Sequence, residues 1–535
     1  MKVIPAAIRF AAIAVCFGDA LFVADVRSGS LGKTFTISRA DYEDRVRAVW
    51  TAQIVAVLLD WPFEHQTASM VWVDRYPRPW TTAPVDDDWY YEMTALGGFE
   101  RYGIGMTVEQ LGEQWKEHSC GSWGSSEQAR LLLERGIKPP HTGHPRHNRL
   151  WFTIGPQFSS DLYGALAPGL PNLAGRLARE LGHINGYAEG TDGAVFMAGM
   201  ISLAFVEKDS KAIVRNAARL VHPDSPYRQC LDMIVGLADQ GRSFEEIANA
   251  VEDRWHLEYP ATNNAVANGG LVALCVWFGE GDFLKTVNLA ARAADFTDAD
   301  CNAANAAAVV GAMHGMKCLP PHLVAPLGDR IAGERMGPVK FRQPVEVKIS
   351  DLAKRTAAIG TTFLLANGAK LADEVLNIPA QEPMTQPAEL FRLADLTQFW
   401  NPEWTLERAG FGGAGGGMAG IRGITYLEGE VLATYPRDEV RGVVLRRTVK
   451  LGENPFLSFQ AGADAGRAWE LNVYANNKLM EKRVIEGGTQ DRKWEEIQVD
   501  LSSVAGQTVH LRLYQRVLVP KRVAGNAYWK ALRVW

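Results

Sequence analysis

At 535 residues the chain is too long for one ordinary hydrophobic core, so two or three domains are expected. Hydrophobic residues make up 47% and charged residues 22%, a globular composition. Lys+Arg 56 against Asp+Glu 61 gives a net charge of −5, and without a long basic run this argues against nucleic acid as the main partner.

Lys2 and Arg9 precede an apolar run, residues 10–17, and Gly18-Asp19-Ala20 offers small residues at the positions a signal peptidase reads. The pattern predicts a signal peptide over residues 1–24 and a secreted or periplasmic protein. The alternative is a cytoplasmic protein whose N-terminal segment is buried or whose start is mis-assigned. The run is too short to span a bilayer, so no membrane span is expected after processing. The cysteines (16, 120, 230, 275, 301, 318) form no CxxC pair. They are neither a zinc framework nor a disulfide scaffold, though export would permit one or two disulfides.

Residues 38–60 read as a helix, capped by Ser38 or Asp41, with Val46, Val49, Ile54, Val57 and Leu58 on one face. Pro62 stops it and leaves Glu64 in a loop, free to point into a site or into solvent. Asp86-Asp87-Asp88 then precedes a helical stretch. Adjacent carboxylates repel one another, so a cation or surrounding water is needed. Trp89 and Tyr90 follow at once, and acids beside aromatics suit a pocket that holds a metal and stacks a flat or sugar-like ligand.

Residues 107–135 look helical, with a Gly/Ser break at 121–126. His141, His144 and His147 lie in a Pro-broken loop without a fourth ligand, and read as a solvated loop rather than a metal site. Residues 154–171 combine glycines and prolines with Gln157, Asp161 and Tyr163 as candidate substrate contacts. Helices are expected at 172–185, carrying His183 and Asn185, and at 192–206, 211–221, 227–240, 244–257, 269–278 and 284–294. The last delivers Asp295-Phe296-Thr297-Asp298-Ala299-Asp300, followed by a small, apolar run from Cys301. Asp298 and Asp300 are two residues apart, which on a helix would send them to nearly opposite sides. They belong at a helix entrance, with Asp300 as the expected N-cap. A helix apolar all round is buried, and carboxylates at its mouth are costly unless paired or metal-bound. No convincing alternating strand appears before residue 375, so residues 38–375 are expected to be all-α.

These pieces together resemble the ADP-ribosylglycohydrolase family over about residues 41–375. The first helix ending at Glu64 matches the family's helix with its loop glutamate. Asp86-Asp87-Asp88-Trp89 resembles its Thr-Asp-Asp-Thr motif, and Asp298-Ala299-Asp300-Cys301 its Asp-x-Asp-Thr motif. The resemblance implies an all-α bundle with magnesium, one or two ions, in a cleft. It implies Asp86, Asp87, Asp88, Asp298 and Asp300 as metal ligands, with Glu64, Asp88 and Asp298 in catalytic roles. Trp89, Tyr90, Gln157, Asp161, Tyr163, His183 and Asn185 are the candidate substrate residues. Asp86, Trp89 and Cys301 replace family threonines, and Cys is a poor Mg²⁺ ligand. Residues 154–171 resemble a bacterial branch of the superfamily whose last motif ends in Asp-Cys-Asn, which leaves metal count and substrate open.

Residues 376–430 are rich in Pro and Gly and read as a linker. Residues 410–420 read as a flexible loop, not a nucleotide loop, because no Lys follows in the P-loop position. From 431 to 535 the period becomes two: Trp469, Leu471, Val473; Ile497, Val499, Leu501; Val509, Leu511, Leu513. That pattern predicts a β-sandwich, and residues from Trp494 to Trp529 resemble galactose-binding-like jelly rolls. The expected function is Mg²⁺-dependent hydrolysis of a glycosidic bond, on a carbohydrate in preference to ADP-ribosylated protein. The alternatives are an ADP-ribosyl hydrolase and a catalytically inactive glycan-binding protein.

Overall fold

The computed structural model describes residues 34–411 and 423–535. The expected signal peptide and nearly all of the 410–420 loop lie outside the described residues.

A short strand, β1 (Thr34–Ser38), leads into α1 (Arg39–Asp60). Ser38 caps α1 by accepting from the Asp41 N–H at 3.0 Å. Then come α2 (Asp87–Tyr102), α3 (Val108–His118), α4 (Gly124–Glu134), and two short helices, α5 (Gly155–Phe158) and α6 (Asp161–Ala165). The long bundle helices are α7 (Pro171–Gly182), α8 (Glu189–Ala204), α9 (Ser210–Ala218), α10 (Pro226–Asp239) and α11 (Phe244–Val251). They are joined by α12 (Ala265–Gly279), α13 (Phe283–Ala291) and α14 (Ala299–His314). At the centre α1 and α14 pack side by side. α14 is Ala- and Gly-rich, and a Cβ added at Gly311 would lie 2.7 Å from the Ala48 carbonyl oxygen. Small residues are what let the two backbones approach.

After α15 (Pro321–Val324) the chain departs from the all-α expectation. β2 (Arg330–Met336) and β3 (Val339–Lys348) form an antiparallel hairpin before α16 (Ile349–Ala366). Its outward positions are charged, which hides the alternation of Val339, Phe341, Val345 and Val347. β4 (Lys370–Ala372) and β5 (Val375–Pro379) complete a small sheet with β1 in the order β1-β5-β4.

The stretch expected as linker is largely built into the fold. Residues 380–392 lie as a strap across the bundle, tied by Gln381 N–H to Gly169 O (2.9 Å) and Gln386 N–H to Leu220 O (2.7 Å). Glu389 is its anchor. It accepts from the Ala188 N–H (2.6 Å) and the Thr191 hydroxyl (2.7 Å) and sits 2.6 Å from His183 Nε2. Burial alone would push Glu389 up, but His183 and Arg179 outweigh it and hold the carboxyl down at about 2. A folded-state value below the usual 4.5 stabilises the fold above pH 4.5 and loses that contribution as pH falls toward 2. Glu389→Gln should therefore cost about 3 kcal/mol at pH 7. In denaturant titrations of the full chain, the gap to the parent should close as pH drops through that window. A pH-independent gap would rule out the carboxylate's role.

α17 (Leu396–Trp400) follows, and β6 (Thr405–Glu407) and β7 (Tyr426–Glu428) already belong to the sandwich. The other strands are β8 (Val431–Thr434), β9 (Val443–Lys450), β10 (Phe456–Ala463), β11 (Ala468–Ala475), β12 (Lys478–Glu486), β13 (Lys493–Asp500), β14 (Thr508–Arg516) and β15 (Ala527–Val534). They form two five-stranded sheets, β13-β10-β15-β8-β7 and β12-β11-β14-β9-β6. The alternating residues named from sequence are all buried between them. Trp469 of one sheet meets Trp529 of the other with ring centroids 4.9 Å apart. The architecture is thus a helical domain followed by a β-sandwich. No disulfide occurs among the described cysteines, and no described helix is long and apolar enough to cross a membrane.

Candidate active site and metal centre

Three chain segments meet at the mouth of α14. The first is the turn after α1. Pro62 ends the helix in a 3₁₀ turn, Trp61–Phe63, and Glu64 follows as its C-cap. The second is the 295–298 loop. His65 N–H donates to Thr297 O (2.8 Å), Phe296 N–H to Gln66 O (2.7 Å), and Ala68 N–H to Asp295 Oδ1 (2.7 Å). Asp295 is thus a stitch between the two loops, not a ligand. Asn268 holds the loop from below, accepting from the Asp298 N–H (3.1 Å) and from Asn302 Nδ2 (2.8 Å). Asp298, not Asp300, takes the N-cap position of α14, with Asp300 in the first turn. The third segment is the start of α2, where Asp86 is the N-cap and accepts from the Asp88 N–H. The helix dipole there favours Asp87 and Asp88 as anions.

His65 Nε2 lies 3.5 Å from Asp298 Oδ2 and its Nδ1 3.9 Å from Glu64 Oε1. Three sets of possible ligand atoms fall within 4.8 Å of one another: Glu64/His65/Asp298, Asp298/Asp300/Cys301 and Asp86/Asp87/Asp88. Glu64, Asp86, Asp87, Asp298 and Asp300 line a common cavity of about 510 Å³. Trp61, Trp80 and Trp123 form part of its wall, and the β2–β3 hairpin closes one side at Gly337. Gly337 has φ +51 and packs so close to the Trp123 ring that a Cβ there would clash.

The charges are heavily unbalanced. Burial first, and repulsion among neighbours second, push Asp87, Asp88 and Asp300 well above the usual carboxylate range. Glu64 is raised to about 7 by burial and by Asp298, against the opposing pull of His65. Asp298 is the exception: burial raises it, but His65 outweighs burial and holds it below its ordinary value. The Oδ1 atoms of Asp88 and Asp298 are buried with no hydrogen-bond partner among the described residues. An oxygen-rich, under-neutralised donor set with orphaned buried oxygens fits a hard divalent cation. Cys301 does not need to be a ligand, because its thiol donates to Asp88 Oδ2 at 3.3 Å.

The substrate candidates fare differently. Trp89 is fully buried, and its indole N–H donates to Pro84 O (3.2 Å). The Tyr90 hydroxyl donates to His118 O (2.9 Å), and its ring packs on Phe341 outside the acidic cavity. Tyr163 is buried edge-on against Phe99. Gln157 accepts from the Tyr227 hydroxyl (3.0 Å), and Asp161 from Asn305 Nδ2 (2.9 Å), both in the core. His183 serves the strap. Asn185 stands one layer behind the cavity, donating to the lining residue Ser126 (2.9 Å). Helix position turns Trp89, Gln157, Asp161 and Tyr163 inward, which residue type alone does not reveal. His144, expected in solvent, packs on Tyr187 and Phe399; burial first, and then His141 and His147, lower it to about 4.

Sequence reasoning missed His65, Asn268 and Arg78. His65 adjoins the Glu64 already singled out, so its proximity was a usable signal. Arg78 lies in a loop with no pattern. Its guanidinium sits 4.1 Å from the Trp80 ring centroid and 4.8 Å from that of Trp61, on the cavity wall. It makes no ion pair among the described residues.

A solved structure titled "ADP-ribosylglycohydrolase-related protein complex" is similar at 13% identity and TM-score 0.42, covering 60% of this chain and 99% of that one. One titled "CBM4 structure and function" is similar at 13% identity and TM-score 0.17, covering 21% and 73%. A cyclase from Fischerella sp. TAU is similar at 14% identity and TM-score 0.16, covering 25% and 73%. No curated protein gives a significant sequence match. The sequence model of the ADP-ribosylglycohydrolase family matches residues 38–358, more than half of the chain, and the chain belongs to that family.

Proposed function

We propose that the chain hydrolyses a glycosidic bond with the help of bound Mg²⁺, and that its substrate is a carbohydrate. The observation that carries this is the convergence of Glu64 with Asp86, Asp87, Asp298 and Asp300 on one cavity. Asp86, Asp87, Asp88, Asp298 and Asp300 would hold the cation. When bound, it supplies charge stabilisation and a grip on a vicinal diol. Glu64 faces the same space with a carboxyl poised near neutrality, suited to moving a proton to or from a water or leaving group. His65 orients Asp298 and keeps it ionised. Trp61 and Trp80 offer flat surface at the wall for a sugar ring.

Arg78 favours a second reading. A basic group in the cavity wall can meet a phosphate, so an ADP-ribosyl substrate competes with a carbohydrate. The choice is made by offering the full chain, with Mg²⁺ or with EDTA, an ADP-ribosyl-arginine peptide, an ADP-ribosyl-serine peptide and a panel of plant and algal oligosaccharides. EDTA-sensitive sugar release supports the carbohydrate reading. Fast ADP-ribose release with no sugar released replaces it with the second. Glu64→Gln should lower kcat by about 10²-fold or more on the true substrate, with a smaller change in KM. Arg78→Ala should instead raise KM, and only for substrates that carry a negative charge.

A further inference from the structure

A second cavity of about 890 Å³ lies between the helical domain and the sandwich, and it shares no lining residue with the acidic one. Five arginines line it: Arg254, Arg392, Arg408, Arg437 and Arg441. They come from separate places: the π turn that continues α11, the strap, the residue after β6, and the β8–β9 loop. Arg437 pairs with Glu258 across the domain boundary at 3.4 Å, Arg441 with Asp438 at 3.5 Å, and Arg392 with Asp395 at 3.2 Å. Arg254 and Arg408 make no ion pair among the described residues. Arg254 rests on the Trp255 ring, 4.3 Å from its centroid. Arg408 holds a left-handed backbone with φ 62, a conformation costly for a residue with a Cβ.

Glu189 adds a second kind of group. It is 3% exposed and lines the cavity. Its Oε1 accepts from the Tyr259 hydroxyl at 3.0 Å, while Oε2 is buried without a partner among the described residues. Burial raises this carboxyl to about 8, so at neutral pH it carries a proton and offers a donor in place of a negative charge. Phe391 and Phe411 contribute ring surface beside these groups.

We propose that this cleft is a separate binding site for an acidic oligosaccharide, recognised through recurring carboxylate or sulfate groups. Guanidinium forks match such planar or tetrahedral oxyanions through paired hydrogen bonds. Arginines drawn from several segments call for a ligand with more than one anionic group, not a lone ion. The ring surfaces suit the C–H faces of sugars. Glu189, Glu258 and Asp438 can exchange hydrogen bonds with the sugar hydroxyls that lie between the anionic groups, which a phosphate backbone does not offer. The cavity is of the size that encloses a compact organic ligand, roughly 300–1,000 Å³.

The test is calorimetric titration of the full chain in EDTA with four probes. These are a galacturonic acid trimer, a sulfated trisaccharide, a neutral trisaccharide and a short oligothymidylate. One or both acidic saccharides should bind, and which one binds identifies the charged group. Binding should weaken at least tenfold in Arg254→Ala/Arg408→Ala and stay unchanged in Asp300→Asn, which alters only the acidic cavity. Thermal melting checks that the double variant folds; if it does not, Arg254→Gln alone should weaken binding at least threefold. No binding, equal binding of the neutral trisaccharide, tighter binding of oligothymidylate, indifference to the arginine variants, or loss in Asp300→Asn would each overturn the proposal.

Discussion

Asp300→Asn should abolish Mg²⁺-dependent turnover and, at pH 8 in EDTA, melt at a higher temperature than the parent. The first effect follows from replacing a charged hard ligand by a neutral, weaker one. If the metal supplies several kcal/mol to the transition state, turnover falls on the order of 10³-fold. The second effect follows from the electrostatics without a cation. Burial and the surrounding carboxylates raise Asp300 well above its ordinary value. A raised folded-state value means that ionising the group costs stability as pH rises, so removing it relieves the fold. Asp298→Asn should also lose turnover but melt lower, because it discards the partner of His65 at 3.5 Å. Mg²⁺ should raise the parent's melting temperature at pH 8 and leave both variants unmoved. Scanning calorimetry with and without Mg²⁺ reads all of this. An Asp300→Asn protein that still responds to Mg²⁺ like the parent would remove Asp300 from the metal centre.

The acids were legible because their cost is legible. Consecutive carboxylates at Asp86, Asp87 and Asp88, and a pair at the mouth of a buried, small-residue helix, violate the ordinary rule that charge stays in water. Such violations mark candidate sites. The aromatic and amide candidates were not legible in the same way. Trp89, Tyr90 and Tyr163 look alike in composition whether they face a ligand or a core, and the bundle wraps them on all sides. Arg78 and Asn268 were missed for the opposite reason: neither breaks any local rule, and each matters only through long-range packing. Asn268 acts 30 residues away in sequence, under Asp298.

The sandwich was read from its period of two, since Trp469, Leu471 and Val473 alternate with polar neighbours in a sheet covered on one face. The same period in β3 escaped notice because charged residues separate its few apolar ones, and the hairpin is only partly covered. The linker was misread because proline density signals an extended chain, not a free one. Residues 380–392 lack regular secondary structure, yet Glu389 is held by Ala188, Thr191 and His183 of the α domain.

Gly311→Ala should destabilise the helical domain and weaken the acidic cavity together, although it adds one methyl group far from any acid. The new Cβ would stand 2.7 Å from Ala48 O, 2.8 Å from its carbonyl carbon and 3.0 Å from Val49 N, all backbone atoms of α1. A flexible side chain could swing away, but a helix backbone cannot, so α1 and α14 must separate along their shared face. Overpacking of this kind costs about 1–3 kcal/mol, and more where backbone is the obstacle. The consequence reaches the site because the two helices carry its halves: α1 ends at Glu64's turn, and α14 begins at Asp298 and Asp300. Moving them apart loosens the 2.8 Å link between His65 N–H and Thr297 O that sets Glu64 against the acids. Two readouts should therefore fall together. The melting transition of the helical domain should drop by several degrees, while that of the sandwich, which lacks this contact, stays where it is. Mg²⁺ affinity measured on the folded fraction should weaken as well. Gly236→Ala in α10, where nothing lies within 4 Å of the added Cβ, should leave Mg²⁺ affinity unchanged and melting the same or slightly higher, and serves as the control. Parent-like melting and Mg²⁺ affinity in Gly311→Ala would show that the α1–α14 contact does not set the geometry of the acidic cavity.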